Sequence, residues 1–243
     1  DVTVTAGGRF TAIATGLLAS TAAADRFRIA ATQDNFTAPG ATETRVRLFH
    51  GGSDAPTVNL DLGNDGTVEV NTFERFTFTP EAGVVLPEGL RIGVLAGTSL
   101  VTTFTAPASL PDATTATIIA TGLLGSAPGE VDGFSLLAVF ADNTAAFIRQ
   151  DARLTVVHGS ANAPAVDIYA NGGEILSDVA FGQISEYLEV PAGEYQIQVF
   201  VASPDPATEG AVIDAMLTFA AGTMTTVAAT NNVATIEAQV IAD

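Results

Sequence analysis

RLTVVHGSANAPAVDIYANG, residues 153–172, has a near copy at residues 45–63, RVRLFHGGSDAPTVNLDLG. His50 answers to His158, Pro56 to Pro164 and Val58 to Val166, each 108 positions apart, so the two stretches are one element of a repeated unit. Apolar alternation on both sides of a turn rich in Gly, Ala and Pro predicts strand, turn, strand at the head of each repeat. In the earlier copy these are Val46 to Phe49, Gly51 to Pro56 and Thr57 to Leu62.

Working outward, the N-terminal residues fit the same frame. VTVTAGGRFTAIAT (residues 2–15) lies without gaps on LTFAAGTMTTVAAT (residues 217–230), and its Gly-Gly flanked by alternating apolar residues reads as a hairpin. Independently, Ala14-Thr15-Gly16-Leu17-Leu18 recurs as Ala120-Thr121-Gly122-Leu123-Leu124. Each is followed by a loop of small residues and an apolar strand, Phe27 to Ala31 in one and Phe134 to Phe140 in the other. Residues 1–43 therefore hold only the last part of a repeat, without roughly 64 of its leading positions. The predicted domains are a partial repeat at 1–43, ending in a linker, and repeats at 44–151 and 152–243.

The remaining strand signals are short, rich in Thr and Val, and separated by Gly or Pro. In the middle repeat they fall near residues 67–70, 75–79, 90–95, 99–104, 115–120 and 134–140. Residues 194–200, EYQIQVF, place Tyr195, Ile197 and Val199 on one face and two glutamines on the other, the pattern of a half-buried strand. Only residues 207–215 could carry a helical turn or two. The expected fold class is all-β: tandem antiparallel β-sandwich domains, Ig-like or Greek-key in type, with an incomplete N-terminal repeat.

Composition narrows the partners. With 27 acidic residues against 9 basic ones the formal net charge is −18, which repels phosphate backbones and anionic headgroups, so no nucleic-acid partner is expected. All nine basic residues are arginine. Without lysine there is no Schiff-base chemistry and no lysine isopeptide staple; without cysteine there is no disulfide, thiolate metal site or thiol nucleophile. No apolar run approaches the ~18 to 20 residues that span a bilayer, so membrane insertion is not expected.

The motif R-x-x-x-x-H-x-x-x-x-A-P-x-V, Arg153 to Val166, continues through Asp167-Ile168-Tyr169, Ala180-Phe181-Gly182 and Val190 to Tyr195. Over this stretch the chain resembles the bacterial and archaeal family catalogued as domain of unknown function 4397, closely from 152 to about 219 and more loosely over the middle repeat. That resemblance implies exported β-sandwich modules in tandem at the cell surface. It brings no catalytic residues. The middle repeat departs from the pattern, with Phe73 to Phe78 where the last has Ala180-Phe181-Gly182 and Tyr187.

Candidate sites are few. His50 beside Ser53 and Asp54 has the residue types of a triad, but the last repeat carries Ala161 and Asn162 there while keeping the histidine and the Ala-Pro turn. His50, Asp54 and Pro56, with His158, Asn162 and Pro164, are therefore read as turn-holding residues. Residues 61–69, DLGNDGTVE, fail the EF-hand spacing, with Gly63 at its third position and Thr72 at its twelfth, and read as a hairpin turn. No cofactor is expected; the acidic surface leaves a looser Ca2+ site open.

No enzymatic role is expected. The leading expectation is a secreted structural protein of the cell surface, a filament subunit assembled head to tail with copies of itself. A partial repeat with unpaired backbone groups and an apolar face is completed by strand addition, through Val2, Val4, Phe10, Ala12 and Ile13. The alternative is a surface adhesion module for a glycan or another protein, in which residues 1–43 merely pack against the middle repeat.

Overall fold

The computed structural model of the protein describes residues 6–86, 91–106, 114–142, 144–202, 210–232 and 235–242. Within them the chain is all-β, and no helix is long and apolar enough to cross a membrane. Two compact units divide it, residues 1–150 and residues 151–243.

The first unit opens with a two-stranded antiparallel ribbon, β1 (Phe10–Thr15) and β2 (Arg28–Gln33). A sandwich follows. One sheet has the order β11-β10-β9-β3-β6, formed by β3 (Thr44–His50), β6 (Val84–Leu86), β9 (Thr114–Thr121), β10 (Ser135–Phe140) and β11 (Ala145–Ile148). The other has the order β5-β4-β7-β8, formed by β4 (Val58–Leu62), β5 (Val70–Phe73), β7 (Arg91–Ala96) and β8 (Ser99–Thr105). Alternate residues of each strand meet between the sheets: Val46 and Leu48, Leu60 and Leu62, Ile92 and Val94, Ile118, and Leu136 with Ala138.

The second unit repeats this plan with β12 (Ala152–His158), β13 (Val166–Ala170), β14 (Gly173–Val179), β15 (Leu188–Val190), β16 (Gly193–Val201), β17 (Ile213–Phe219), β18 (Met224–Thr230) and β19 (Glu237–Ala242). Its sheets run β15-β12-β18-β19 and β14-β13-β16-β17, so β12 takes the place of β3, β18 of β9 and β19 of β10. The backbone bonds agree. His50 N–H donates to Thr77 O and His158 N–H to Gln183 O, both at 3.1 Å.

Among the described residues the strands pair antiparallel except once in each sandwich, where its first and seventh strands lie side by side and parallel. Leu48 stands opposite Ile118 in β3 and β9, and Val156 opposite Val227 in β12 and β18. Three local expectations change. Residues 217–230, on which the predicted N-terminal hairpin was aligned, are not a hairpin: β17 and β18 lie in different sheets and their turn carries the chain between them. Residues 1–5, with Val2 and Val4, lie outside the described residues. Residues 75–79 form a turn with a single bridge, Phe49 to Phe78, in place of a strand. Ile213 to Ala215 begin β17 rather than a helical turn, because Ile213 is drawn into the core; residues 207–209 lie outside the described residues.

Candidate functional site

The histidines hold turns. Each ends its strand fully buried, and its Nε2 bonds across the following turn, to Pro56 O at 2.9 Å for His50 and to Pro164 O at 3.0 Å for His158. Burial pushes the His50 imidazole below its ordinary pKa; the Pro56 bond works against this, and the nearby Arg75 charge adds to it. Asp54 is engaged elsewhere, its carboxylate accepting from Leu124 N–H at 3.0 Å and Gly125 N–H at 3.1 Å. In residues 61–69 the carboxylates also take backbone donors: Asp61 from Asp65 and Gly66, Glu69 from Leu62 at 2.7 Å. Among the described residues no three His, Asp or Glu side chains are gathered as metal ligands are.

Two openings lie among the described residues of the first unit. A cavity of about 120 Å3 between its sheets is walled by apolar side chains including Leu60, Phe73, Ile118 and Leu136, whereas the corresponding space in the second unit is about 20 Å3. A groove where the ribbon meets β9 and β10 carries Arg9, Thr11, Asp34, Thr115 and Thr117 among its polar walls. In the groove the Thr11 hydroxyl donates to the Asp34 carboxylate at 3.0 Å.

The ribbon is the unusual element. Its strands and the two ends of its loop reproduce those of β9 and β10, the loop of the middle repeat being one residue longer. Leu17 N–H donates to Asp25 O at 2.7 Å as Leu123 does to Asp132 at 2.8 Å, and Phe27 N–H to Leu17 O as Phe134 does to Leu123, both at 3.1 Å. Gly16 and Gly122 make the same left-handed turn, φ +85 and +84, where a Cβ would lie 2.5 Å from Arg26 O and 2.4 Å from Gly133 O. The registers agree too. Ala12 pairs Ala31 as Ile118 pairs Ala138, and Ala14 pairs Ile29 as Ala120 pairs Leu136.

What differs is the face that is covered. Ile13, equivalent to the outward-facing Ile119, is only 9% exposed, packed with Ala30 against Phe49, Ile119, Leu137 and Val139 on the outer side of the sandwich. The ribbon thus docks by the face that looks outward in a complete repeat. Its core-type face is bare: Ala12 and Ala14 are exposed, Ile29 is 66% exposed where Leu136 is 6%, and Phe27 is 43% exposed where Phe134 is 6%. The edge is bare as well. β9 and β18 each take a parallel strand along the edge that β1 leaves unpaired among the described residues.

Docking rests on the stretch in which the middle repeat departs from the last. Phe76 and Phe78 join the apolar cluster under Ile13, and the Arg28 guanidinium lies 4.4 Å over the Phe76 ring. Phe76 holds a left-handed backbone, φ 62, at the place where the second unit has Gly182, φ 81. Such a conformation costs a non-glycine residue about 1 to 2 kcal/mol, so the ring is kept there against its backbone preference. Arg75 pairs with Asp25 at 2.8 Å and also donates to Ser53 O. Arg47, buried, reaches Gln33 O at 2.7 Å; Thr15 Oγ1 donates to Gly51 O at 3.2 Å. Burial lowers the Arg47 pKa, with Glu81 and then Asp34 opposing.

Of the residues singled out for assembly, Ile13 is therefore spent on docking, Ala12 is open, and Phe10 is half-buried. Sequence reading missed Ile29 and Phe27. Their signal was present in the recurrence of the Ala-Thr-Gly-Leu-Leu loop, which fixes them as core positions.

Residues 152–243, which hold the motifs of the last repeat, match the family described as "Domain of unknown function (DUF4397)". No curated protein sequence matches the chain. Among solved structures, one described as a "putative cell adhesion protein" from Bacteroides uniformis is similar at 11% identity and TM-score 0.24, over 84% of this chain and 98% of that one. A likeness of that degree carries no residue role from one chain to the other.

Proposed function

We propose that the chain is a non-enzymatic structural protein of the cell exterior, a subunit that joins its neighbours head to tail into a filament by strand addition at the N-terminal ribbon. One observation carries the reading: the ribbon is anchored on the sandwich by its outer-type face, its core-type face is bare, and one edge of β1 is unpaired among the described residues. An apolar half-core beside unpaired N–H and C=O groups is a site for another strand. Because donor and acceptor surfaces differ, the contact is heterologous and open-ended, which yields fibres rather than closed dimers. The surface charge keeps finished fibres apart.

Negative-stain imaging of native material at high concentration tests this. Fibres with an axial repeat near one subunit are expected, and they should vanish in Ile29→Glu, which charges the bare face and leaves the docked one alone. Monomers at all concentrations would overturn the assembly reading, and glycan or protein capture by those monomers would establish the adhesion alternative. Deleting residues 1–43 is a poorer test, because it uncovers Phe49, Ile119, Leu137 and Val139.

A further inference from the structure

The same two-stranded element occurs three times, as β1-β2, β9-β10 and β18-β19, and in two of the three the long edge is filled in one way. β3 lies parallel to β9 with Leu48 opposite Ile118 and His50 opposite Ala120; β12 lies parallel to β18 with Val156 opposite Val227 and His158 opposite Ala229. Ala12 takes the place of Ile118 and Val227, and Ala14 that of Ala120 and Ala229. The edge of β1, unpaired among the described residues, corresponds to the edges of β9 and β18 that take these parallel strands in this register. Resting on the assembly reading above, we infer that β1 accepts an extended strand from a neighbouring molecule that runs parallel to it, with the residue opposite Ala12 facing the bare apolar surface.

Three features define the incoming strand. It alternates as Val46-Arg47-Leu48 and Leu154-Thr155-Val156 do, because only every second side chain reaches the half-core made by Ala12, Ala14, Phe27 and Ile29. Its inward residue opposite Ala12 is large, since alanine replaces isoleucine or valine on the acceptor and leaves two to three carbons of space unfilled. Its sense is parallel. An antiparallel strand, the commoner mode of strand addition, would leave the chain following it at the opposite end of the ribbon, away from the exposed Leu17 and Leu18. In both complete repeats the turn after the parallel strand closes over that end, where Gly159 N–H donates to Ala229 O at 2.8 Å.

The chain has no cysteine, so one introduced thiol reports one position. The test uses full-length Ala12→Cys and synthetic peptides spanning residues 151–164 of this chain, each with a single cysteine in place of Leu154, Thr155, Val156, Val157 or His158. Under redox buffer the peptide with cysteine at 156 should be trapped at least tenfold more than those at 155 or 157, whose side chains face away. Hydrogen exchange at β1 should slow when the unmodified peptide is added. Preference for 154 or 158, as an antiparallel or slipped strand gives, or equal trapping at every position, would overturn the inference. The outcomes separate: fibres without a preference for 156 refute this register and leave the assembly reading standing, whereas absence of fibres refutes that reading whatever the peptides do.

Discussion

Two isoleucines on opposite faces of the ribbon should respond to truncation in opposite ways. Ile13 is 9% exposed in the cluster with Phe49 and Ile119, whereas Ile29, on the facing strand, is 66% exposed. Ile13→Ala removes three carbons from a closed contact. At about 0.8 kcal/mol each, the loss is roughly 2.4 kcal/mol before any cavity is counted. If the ribbon opens as a local unit, amide exchange in β1 and β2 should accelerate about 50-fold, since 1.4 kcal/mol is a factor of ten. Ile29→Ala should change monomer exchange less than about 2-fold, because a surface substitution falls within ±0.5 kcal/mol. Both variants should leave exchange in β12 and β18 as it is. Hydrogen exchange read by mass spectrometry at low protein concentration gives both numbers. Equal acceleration in the two variants would refute the assignment of docked and bare faces. So would faster exchange in Ile29→Ala alone.

The first unit should weaken in mild acid. Its His50 has a folded pKa below the ordinary 6.5, so the unfolded chain binds the proton more readily; the stability is whole above about 6.5 and declines as pH falls from there toward the folded value. Urea midpoints of the first unit at pH 7.5 and 5 should differ, and His50→Gln should flatten that part of the slope. Gly122→Ala should cost the first unit at least about 2 kcal/mol, since φ is positive and Gly133 O stands in the way, while Gly66→Ala, left-handed but in open space, should cost about 1 to 2; thermal melts rank them. The apolar cavity of about 120 Å3 is close to one known to take benzene or xenon. Xenon pressure should shift the methyl resonances of Leu60, Ile118 and Leu136 and spare Ile168 and Ile197, and equal shifts in both units would contradict the difference in cavity size.

The repeat frame was readable because it rests on spacing. Residues 45–63 and 153–172 carry the same turn chemistry at one offset, and the Ala-Thr-Gly-Leu-Leu loop forces the same backbone wherever it occurs, Gly16 and Gly122 being the only residues its turn admits. The docked face of the ribbon was not readable. Period-two patterning separates two faces but does not say which is covered, and in Ala12-Ile13-Ala14 the single bulky residue sits on the side that faces outward in a complete repeat. Phe73 to Phe78 stood out as a departure, yet their role depends on contacts with residues some fifty positions away, such as Arg75 with Asp25. The parallel pair escaped for the same reason: strand alternation is identical for a parallel and an antiparallel neighbour.

That parallel pair also sets a timetable. Thr44 meets Thr114 and Arg153 meets Met224, so each sandwich is closed by a contact spanning about 70 positions. Loop-closure entropy must be met before such a contact forms, and proteins dominated by distant pairings fold in milliseconds to seconds. As a chain lengthens, β3 and β12 wait with one edge open until the seventh strand of their own domain arrives. During that interval each is the kind of strand that the slot on β1 would take. In the proposed assembly, growth would therefore compete with completion of the domain for the same strand.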